Sequence, residues 1–245
     1  MRFHARTLQL LNVTPTISPR RISDLDAAEA RIGLKLPASV REWYSLEGAG
    51  DLLKRYSNDD PPLEISDFGV PRKDTHGGGP HDLLARNLIP FRYENQAVCV
   101  WAFRVGAGDD PPVYVDFDSQ FREWTECTST FSGHLYAWMW DYALVLTKDL
   151  LIQAQNQPVT EDAIGFLSQN FDRGSETYGW PGHTQYRFSR QDKRILIWAS
   201  DRQADWWLTA DREESLRELI EQVRECDQVA QSMWSNSERG ASLLK

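Results

Sequence analysis

The chain has 245 residues, 41% of them hydrophobic and 11% aromatic, with ten Trp, which is enough to bury a core as one large domain or two small ones. A formal net charge of −9 and a pI near 5.1 set the surface against nucleic acid and anionic lipid and in favour of a basic protein partner, although the same charge also serves solubility. No apolar run approaches the ~20 residues that span a bilayer, and residues 8–13 are too short and interrupted for the apolar core of a signal peptide.

Residues 1–21 carry no clear periodicity and are expected to form an N-terminal arm. From about residue 24 the pattern is helical. Ser23 and Asp26 have capping-box spacing, and Leu25, Ala28, Glu29 and Ile32 recur at helical intervals. Gly33 suits the left-handed residue that ends a helix, and Pro37 forbids continuation while fitting the first turn of the next. Ser39 with Glu42 gives a second capping signal. An apolar stripe of Val40, Trp43, Tyr44 and Leu46 follows, closed by Gly48 and Gly50. Short strands are expected at 63–65 and 68–70, then a mobile loop over 71–82 with three consecutive glycines. Further strands are expected over 88–93, 97–105, 113–117 and 123–127, with a tight turn at Glu94–Asn95 and a longer hairpin loop at 106–112. The apolar run 98–103 marks a central strand covered on both faces, where Trp101 should be buried. Residues 131–144 read as a closing helix with Phe131, Leu135, Trp138, Met139 and Tyr142 on one side.

A second block begins after residues 153–158. Thr160 is a good N-cap for a helix carrying Ala163, Ile164, Phe166 and Leu167. Three strands follow, at 185–189, 194–199 and 205–209, joined by turns short enough to impose antiparallel pairing. Asp211 with Glu214 caps the last helix, whose Leu216, Leu219, Ile220 and Val223 form an apolar stripe. Of the pairs Trp138/Trp140 and Trp206/Trp207, one member each is expected in the core, since the two cannot share a face.

Little in the sequence carries chemistry. His76–Gly77–Gly78–Gly79 resembles an esterase oxyanion loop, but no Gly–x–Ser–x–Gly nucleophile elbow accompanies it. Asp74, His76, His81 and Asp82 lack anything to fix a metal geometry. Cys99, Cys127 and Cys226 are odd in number and lack CxxC spacing, as expected for reduced, buried thiols in a cytoplasmic protein. No catalysis, metal or cofactor is expected.

Residues 25–50, with Glu29, Gly33, Leu36–Pro37 and the closing Gly48 and Gly50, resemble the opening motif of the SUKH superfamily, the Smi/Knr-like proteins. Leu88–Ile89–Pro90–Phe91 with Asn95, then Val98–Cys99–Val100–Trp101, then Asp109–Asp110–Pro111–Pro112–Val113 follow in family order, with Trp124 and the closing helix after them. The resemblance covers residues 22–146. The polar insertion 57–81 and the long continuation past the closing helix depart from it. It implies an α+β fold, with the helical pair packed on a largely antiparallel sheet in a domain over 22–150. A smaller block over 151–245 follows as helix, three-strand meander and helix.

The resemblance also implies a non-catalytic binding protein. Bacterial members are predominantly immunity proteins that neutralise a toxin, often a nuclease, and fungal members regulate cell-wall synthesis and signalling. A compact acidic chain fits the bacterial role, with a basic cognate toxin as partner. Loop position and charge single out Asp59, Asp60, Asp109 and Asp110 as contacts, with Glu94 and Asp118 next. The alternatives are a regulatory scaffold with a non-toxin client, and a hydrolase using the 76–82 loop or His183.

Overall fold

In the computed structural model, which describes residues 1–73, 80–118, 120–179, 182–226, 229 and 232–244, contacts divide the chain into two units, Met1–Met139 and Trp140–Lys245. The expectations for Asp74, His76 and the three glycines lie outside the described residues, as do Trp180 and Pro181.

The first 21 residues are more ordered than their lack of periodicity implied. They hold helix α1 (Ala5–Leu10), with His4, Thr7 and Leu8 buried. Helix α2 (Pro19–Ile32) starts one turn before its apolar stripe, with Pro19 at its first position and Ser18 as N-cap. Ser23 is therefore interior to the helix, and the capping box with Asp26 does not form. Gly33 ends α2 at φ 70, its N–H donating to the Glu29 carbonyl. The hinge to α3 (Ala38–Tyr44) is locked by Glu29, whose carboxylate is 4% exposed. It accepts the Leu36 N–H at 2.9 Å and meets Lys35 and Arg41 at 2.7 and 2.8 Å. Pro37 is the N-cap of α3 and no side chain caps it, so the Ser39–Glu42 box is also replaced. Glu42 turns instead to the N-terminal arm. Helix α4 (Ala49–Arg55) follows from Gly48 at φ 69.

In place of the two short strands expected at 63–65 and 68–70 the chain makes a 3₁₀ turn, Ile65–Asp67, closed by reciprocal Glu64 and Asp67 caps. Arg31 donates to the carbonyls of Ile65, Ser66 and Phe68 at 3.0–3.3 Å, so these groups need no strand partner. Two short strands, β1 (Arg72–Lys73) and β2 (Pro80–His81), pair antiparallel and precede an antiparallel sheet in sequential order. Its strands are β3 (Leu88–Tyr93), β4 (Val100–Arg104), β5 (Val113–Asp116) and β6 (Thr125–Thr128). Both faces of β4 are buried, and Trp101 is 3% exposed. One face carries Leu88, Val100 and Ala102 against Leu83 and Phe121. On the other, Phe91 and Phe103 meet Phe131 of helix α5 (Phe131–Asp141) edge-on. The division between the units falls within α5, which continues as a π-helical turn, Tyr142–Leu146.

The second unit is built on an antiparallel sheet ordered β7-β12-β11-β10-β8, with β9 also on β10. Its strands are β7 (Leu151–Asn156), β8 (Asp172–Arg173), β9 (Thr177–Tyr178), β10 (Thr184–Arg190), β11 (Lys193–Ala199) and β12 (Ala204–Ala210). The three-strand meander forms as expected. Strand β7 is not among the strands expected, because Gln153, Gln155 and Asn156 mask the alternation of Ile152 and Ala154, which point into the core. Helices α6 (Glu161–Asn170) and α7 (Glu213–Arg224) cover that core, around Phe188, Ile195, Ile197, Trp206 and Leu208. Thr160 caps α6 by accepting the Ala163 N–H. Asp211 does not cap α7, whose N-cap is Arg212, because its carboxylate pairs with Arg194 at 3.0 Å. The outer edge of β7 is covered by the tail, through paired backbone bonds between Gln153 and Trp234 and a Ser235 hydroxyl on the Leu151 carbonyl. A covered edge cannot recruit another strand. Helix α8 (Glu238–Ser242) closes the tail.

Trp206 is fully buried, whereas Trp207 lies on the opposite face against Trp198, ring centroids 4.9 Å apart. That face also holds a buried ion pair. Arg187 on β10 donates Nε and Nη2 to the two Asp141 oxygens at 2.6 Å each, and Nη1 to the Ser175 carbonyl and the Thr177 hydroxyl.

Candidate partner-binding surface

The loop after α4 is fixed from beneath by a stacked cation. A bulge in β3 between Pro90 and Arg92 breaks the alternation of sides. Phe91 and Arg92 both turn to the face where Trp101 lies. Arg92 is 1% exposed, with its guanidinium carbon 3.6 Å from the Trp101 ring centroid and also over the Trp138 ring. A planar, weakly hydrated cation between indoles is the favourable arrangement for a buried Arg. Trp138 donates its ring N–H to the Tyr56 carbonyl. Asp60, 3% exposed, lies 3.8 Å from Arg92 Nε and accepts the Asn95 N–H at 3.2 Å. Burial pushes the Asp60 carboxyl up, while Arg92 pulls it down.

Asp60 and Glu94, expected as exposed loop acids, are thus corrected to interior anchors. Glu94 is 4% exposed and accepts the Gln96 and Val98 N–H groups at 2.7 and 3.1 Å, which holds the turn after β3. Unpaired backbone donors in both loops draw these carboxylates inward. Above them Asp59 is exposed, at φ 58, on the rim of an open cleft of about 350 Å³. Asp51, Lys54, Arg55, Ser57 and Asn58 complete the lining. Two cations there offset two carboxylates.

The other expected acids lie elsewhere. Asp109 is exposed on the 106–112 loop and pairs with Arg2 at 3.2 Å, while its carbonyl accepts the Ser39 N–H at 2.8 Å. Asp110 binds the start of α5 through the Ser132 N–H at 2.9 Å and hydroxyl at 2.5 Å. Asp118 is exposed and accepts the Gln120 N–H. The six carboxylates therefore fall in three places, and only Asp59, Asp109 and Asp118 project to solvent.

Sequence reasoning missed the docking of the arm. Glu42 accepts three consecutive N–H groups, from Arg2, Phe3 and His4, at 2.7, 2.8 and 2.9 Å, and these hydrogen bonds hold its carboxyl below the usual range against the opposing effect of burial. His4 is fully buried, edge-on to Trp43 and Phe131 at 5.1 and 5.9 Å. Its Nε2–H donates to the Ser39 carbonyl at 2.9 Å, which leaves Nδ1 buried without a partner. Burial lowers the His4 pKa, against the raising effects of the Ser39 bond, Glu42 and Asp110. A folded-state pKa below the unfolded one makes the unfolded chain bind more protons. The stability from His4 is therefore complete above its ordinary pKa of 6.5 and is lost as pH falls below it. The urea midpoint of the wild-type chain should drop between pH 7.5 and 5.5 by more than that of His4→Gln, which keeps a donor for Ser39. Equal drops would refute the assignment.

Among the described residues, no group of three or more His, Cys, Asp and Glu is placed to hold a metal ion, and no helix is long and apolar enough to cross a membrane. Cys99, Cys127 and Cys226 are buried thiols, and Cys127 Sγ lies 3.5 Å from Nδ1 of the buried His134. His81 packs against Phe121, and His183 is half-buried.

The motif-bearing elements, from α2 through the Glu29-locked hinge to the Asp109–Asp110 loop and α5, occur together in the first unit. Residues 21–135 match the family model described as SMI1 / KNR4 family (SUKH-1). Over that segment the chain is similar to the SUKH-1 family. The match spans a little under half of the chain, and the second unit lies outside it. No curated protein and no solved structure matches the chain.

Proposed function

We propose that this chain is a non-catalytic protein-binding module, an immunity protein that neutralises a basic cognate toxin by covering its active site. The observation that carries the reading is the SUKH-1 match over the unit that bears the exposed loop carboxylates Asp59, Asp109 and Asp118. These loops are held on rigid supports, Asp60 with Arg92 under one and Asp110 with Ser132 under another, so little ordering entropy is lost on binding. Because Lys54 and Arg55 stand beside Asp59, and Arg2 beside Asp109, long-range attraction comes from the net charge of −9 more than from any single acid. A second folded unit outside the SUKH-1 segment favours one alternative, an adaptor that holds a non-toxin client on one unit and another protein on the other.

Co-expression should rescue cells from one toxic protein encoded beside this chain and from no unrelated toxin; failure to rescue from any favours the adaptor. Charge steering has its own test in Asp59→Asn and Asp118→Asn. Asn tolerates the left-handed backbone at 59 and still accepts the Gln120 N–H at 118, so the geometry survives and the charge does not. Together they lower the net charge from −9 to −7 and should slow association modestly at low salt, leaving dissociation nearly unchanged. The effect should fade as salt shortens the screening length to about 8 Å. Association indifferent to both charge and salt would sink the steering mechanism.

A further inference from the structure

We infer that the groove between α3, the 106–112 loop and the start of α5 is the docking site for a basic segment of the protein partner, and that residues 2–4 occupy it as a self-ligand the partner displaces. The inference rests on the protein-binding reading above and names the surface and the chemistry of what it takes.

The groove treats the arm as a peptide. Glu42 takes three consecutive backbone N–H groups, an interaction any segment able to curl its amides around a carboxylate satisfies, whatever its side chains. Selectivity comes from the flanks. Asp109 meets an Arg two residues before a ring, and the ring enters a slot between Trp43 and Phe131, where the Ser39 carbonyl takes one N–H. The ligand class is therefore an Arg-x-aromatic or Arg-x-His segment in a basic setting. The walls of the groove are tied to one another by bonds in which the arm takes no part. The Ser39 N–H is tied to the Asp109 carbonyl, and Asp110 is tied to Ser132.

The present occupant fits imperfectly. The Arg2–Asp109 pair is solvent-exposed, with side chains 71% and 63% accessible, and pairs of that kind hold weakly. His4 leaves a buried acceptor nitrogen unpaired, which is costly. A segment that supplies a ring without that nitrogen, or adds contacts beyond the groove, has the advantage. The same geometry explains how Asp109 can serve a partner although it is engaged here: the incoming Arg replaces Arg2.

The test uses the full chain and a capped synthetic peptide, Arg-Phe-His-Ala-Arg-Thr, with a scrambled peptide of equal charge as control. A chain carrying Arg2→Ala and His4→Ala should bind the peptide at least tenfold more tightly than wild type and tenfold more tightly than it binds the scramble. Adding Glu42→Gln should abolish the gain. In the wild-type chain, hydrogen exchange at Phe3 and His4 should run far ahead of the β4 amides and quicken with excess peptide. Equal affinity for both peptides, no effect of Glu42→Gln, or arm amides that exchange only as slowly as β4 would each overturn the inference. Peptide capture without rescue from a toxin supports the groove and sinks the immunity role. Rescue without peptide capture places the toxin on another surface and overturns the groove.

Discussion

Arg92→Ala should destabilise the first unit by about 3–5 kcal/mol, the range for removing one member of a buried pair. Three effects add. Asp60, 3% exposed, loses its counter-charge, Trp101 and Trp138 lose the cation that lies over both rings, and a cavity opens behind the β3 bulge. Amides of β3 and β4 should exchange at least a hundredfold faster, since each 1.4 kcal/mol is about tenfold. The variant should also acquire a pH signature. Asp60, already pushed up by burial, will take a proton in the folded state while remaining ionised in the unfolded chain, so the native state binds more protons and stability falls as pH rises. Asp60→Asn combined with Arg92→Met should recover much of the loss and flatten the profile, because a neutral pair leaves no charge in the interior. A loss under 1 kcal/mol for Arg92→Ala would mean that water reaches Asp60 and that the loop bearing Asp59 is not anchored as described.

Asp141→Ala should have a comparable effect in the second unit, again about 3–5 kcal/mol. Arg187 is 4% exposed and directs two donors at the lost carboxylate. Its remaining partners, the Ser175 carbonyl, the Thr177 hydroxyl and the Gln185 side-chain oxygen, are neutral and cannot replace the charge. The loosening should start at β10 and its short neighbours β8 and β9, and hydrogen exchange there should accelerate before α7 does. Replacing both Asp141 and Arg187 by Leu should cost far less than either single change. Uniform exchange across the second unit, or a double replacement as harmful as the singles, would contradict a local, charge-driven role.

The acidic residues show where inference from a single sequence reaches its end. Asp59, Asp109 and Asp118 were expected at the surface and are there. Asp60 and Glu94 carry the same local signals, acid in a loop close to a turn, yet are buried. The residue types around them do not distinguish them. The difference is made by Arg92, reached across the loop, and by the Gln96 and Val98 amides that the turn after β3 leaves unpaired. Glu42 is a related case. Its spacing from Ser39 reads as a capping box, but the carboxylate goes to N–H groups 38 to 40 residues away. The capping signal is local, and a stronger set of donors arrives from elsewhere in the chain.

Periodicity and turn chemistry by themselves determined the hinge at Gly33 and Pro37, the buried central strand with Trp101, the three-strand meander and the two helices that cover it. All of these depend on contacts between near neighbours and on the alternation of apolar residues. Tertiary structure alone decided the rest: the helical arm fixed on Glu42, the strand at Leu151–Asn156, the 3₁₀ turn held by Arg31, and the ion pairs Asp60–Arg92 and Asp141–Arg187. In each of these a polar group is satisfied by a partner far along the chain. A single register shift, such as the β3 bulge that turns Arg92 inward, reassigns which side chains meet, and no local pattern records it.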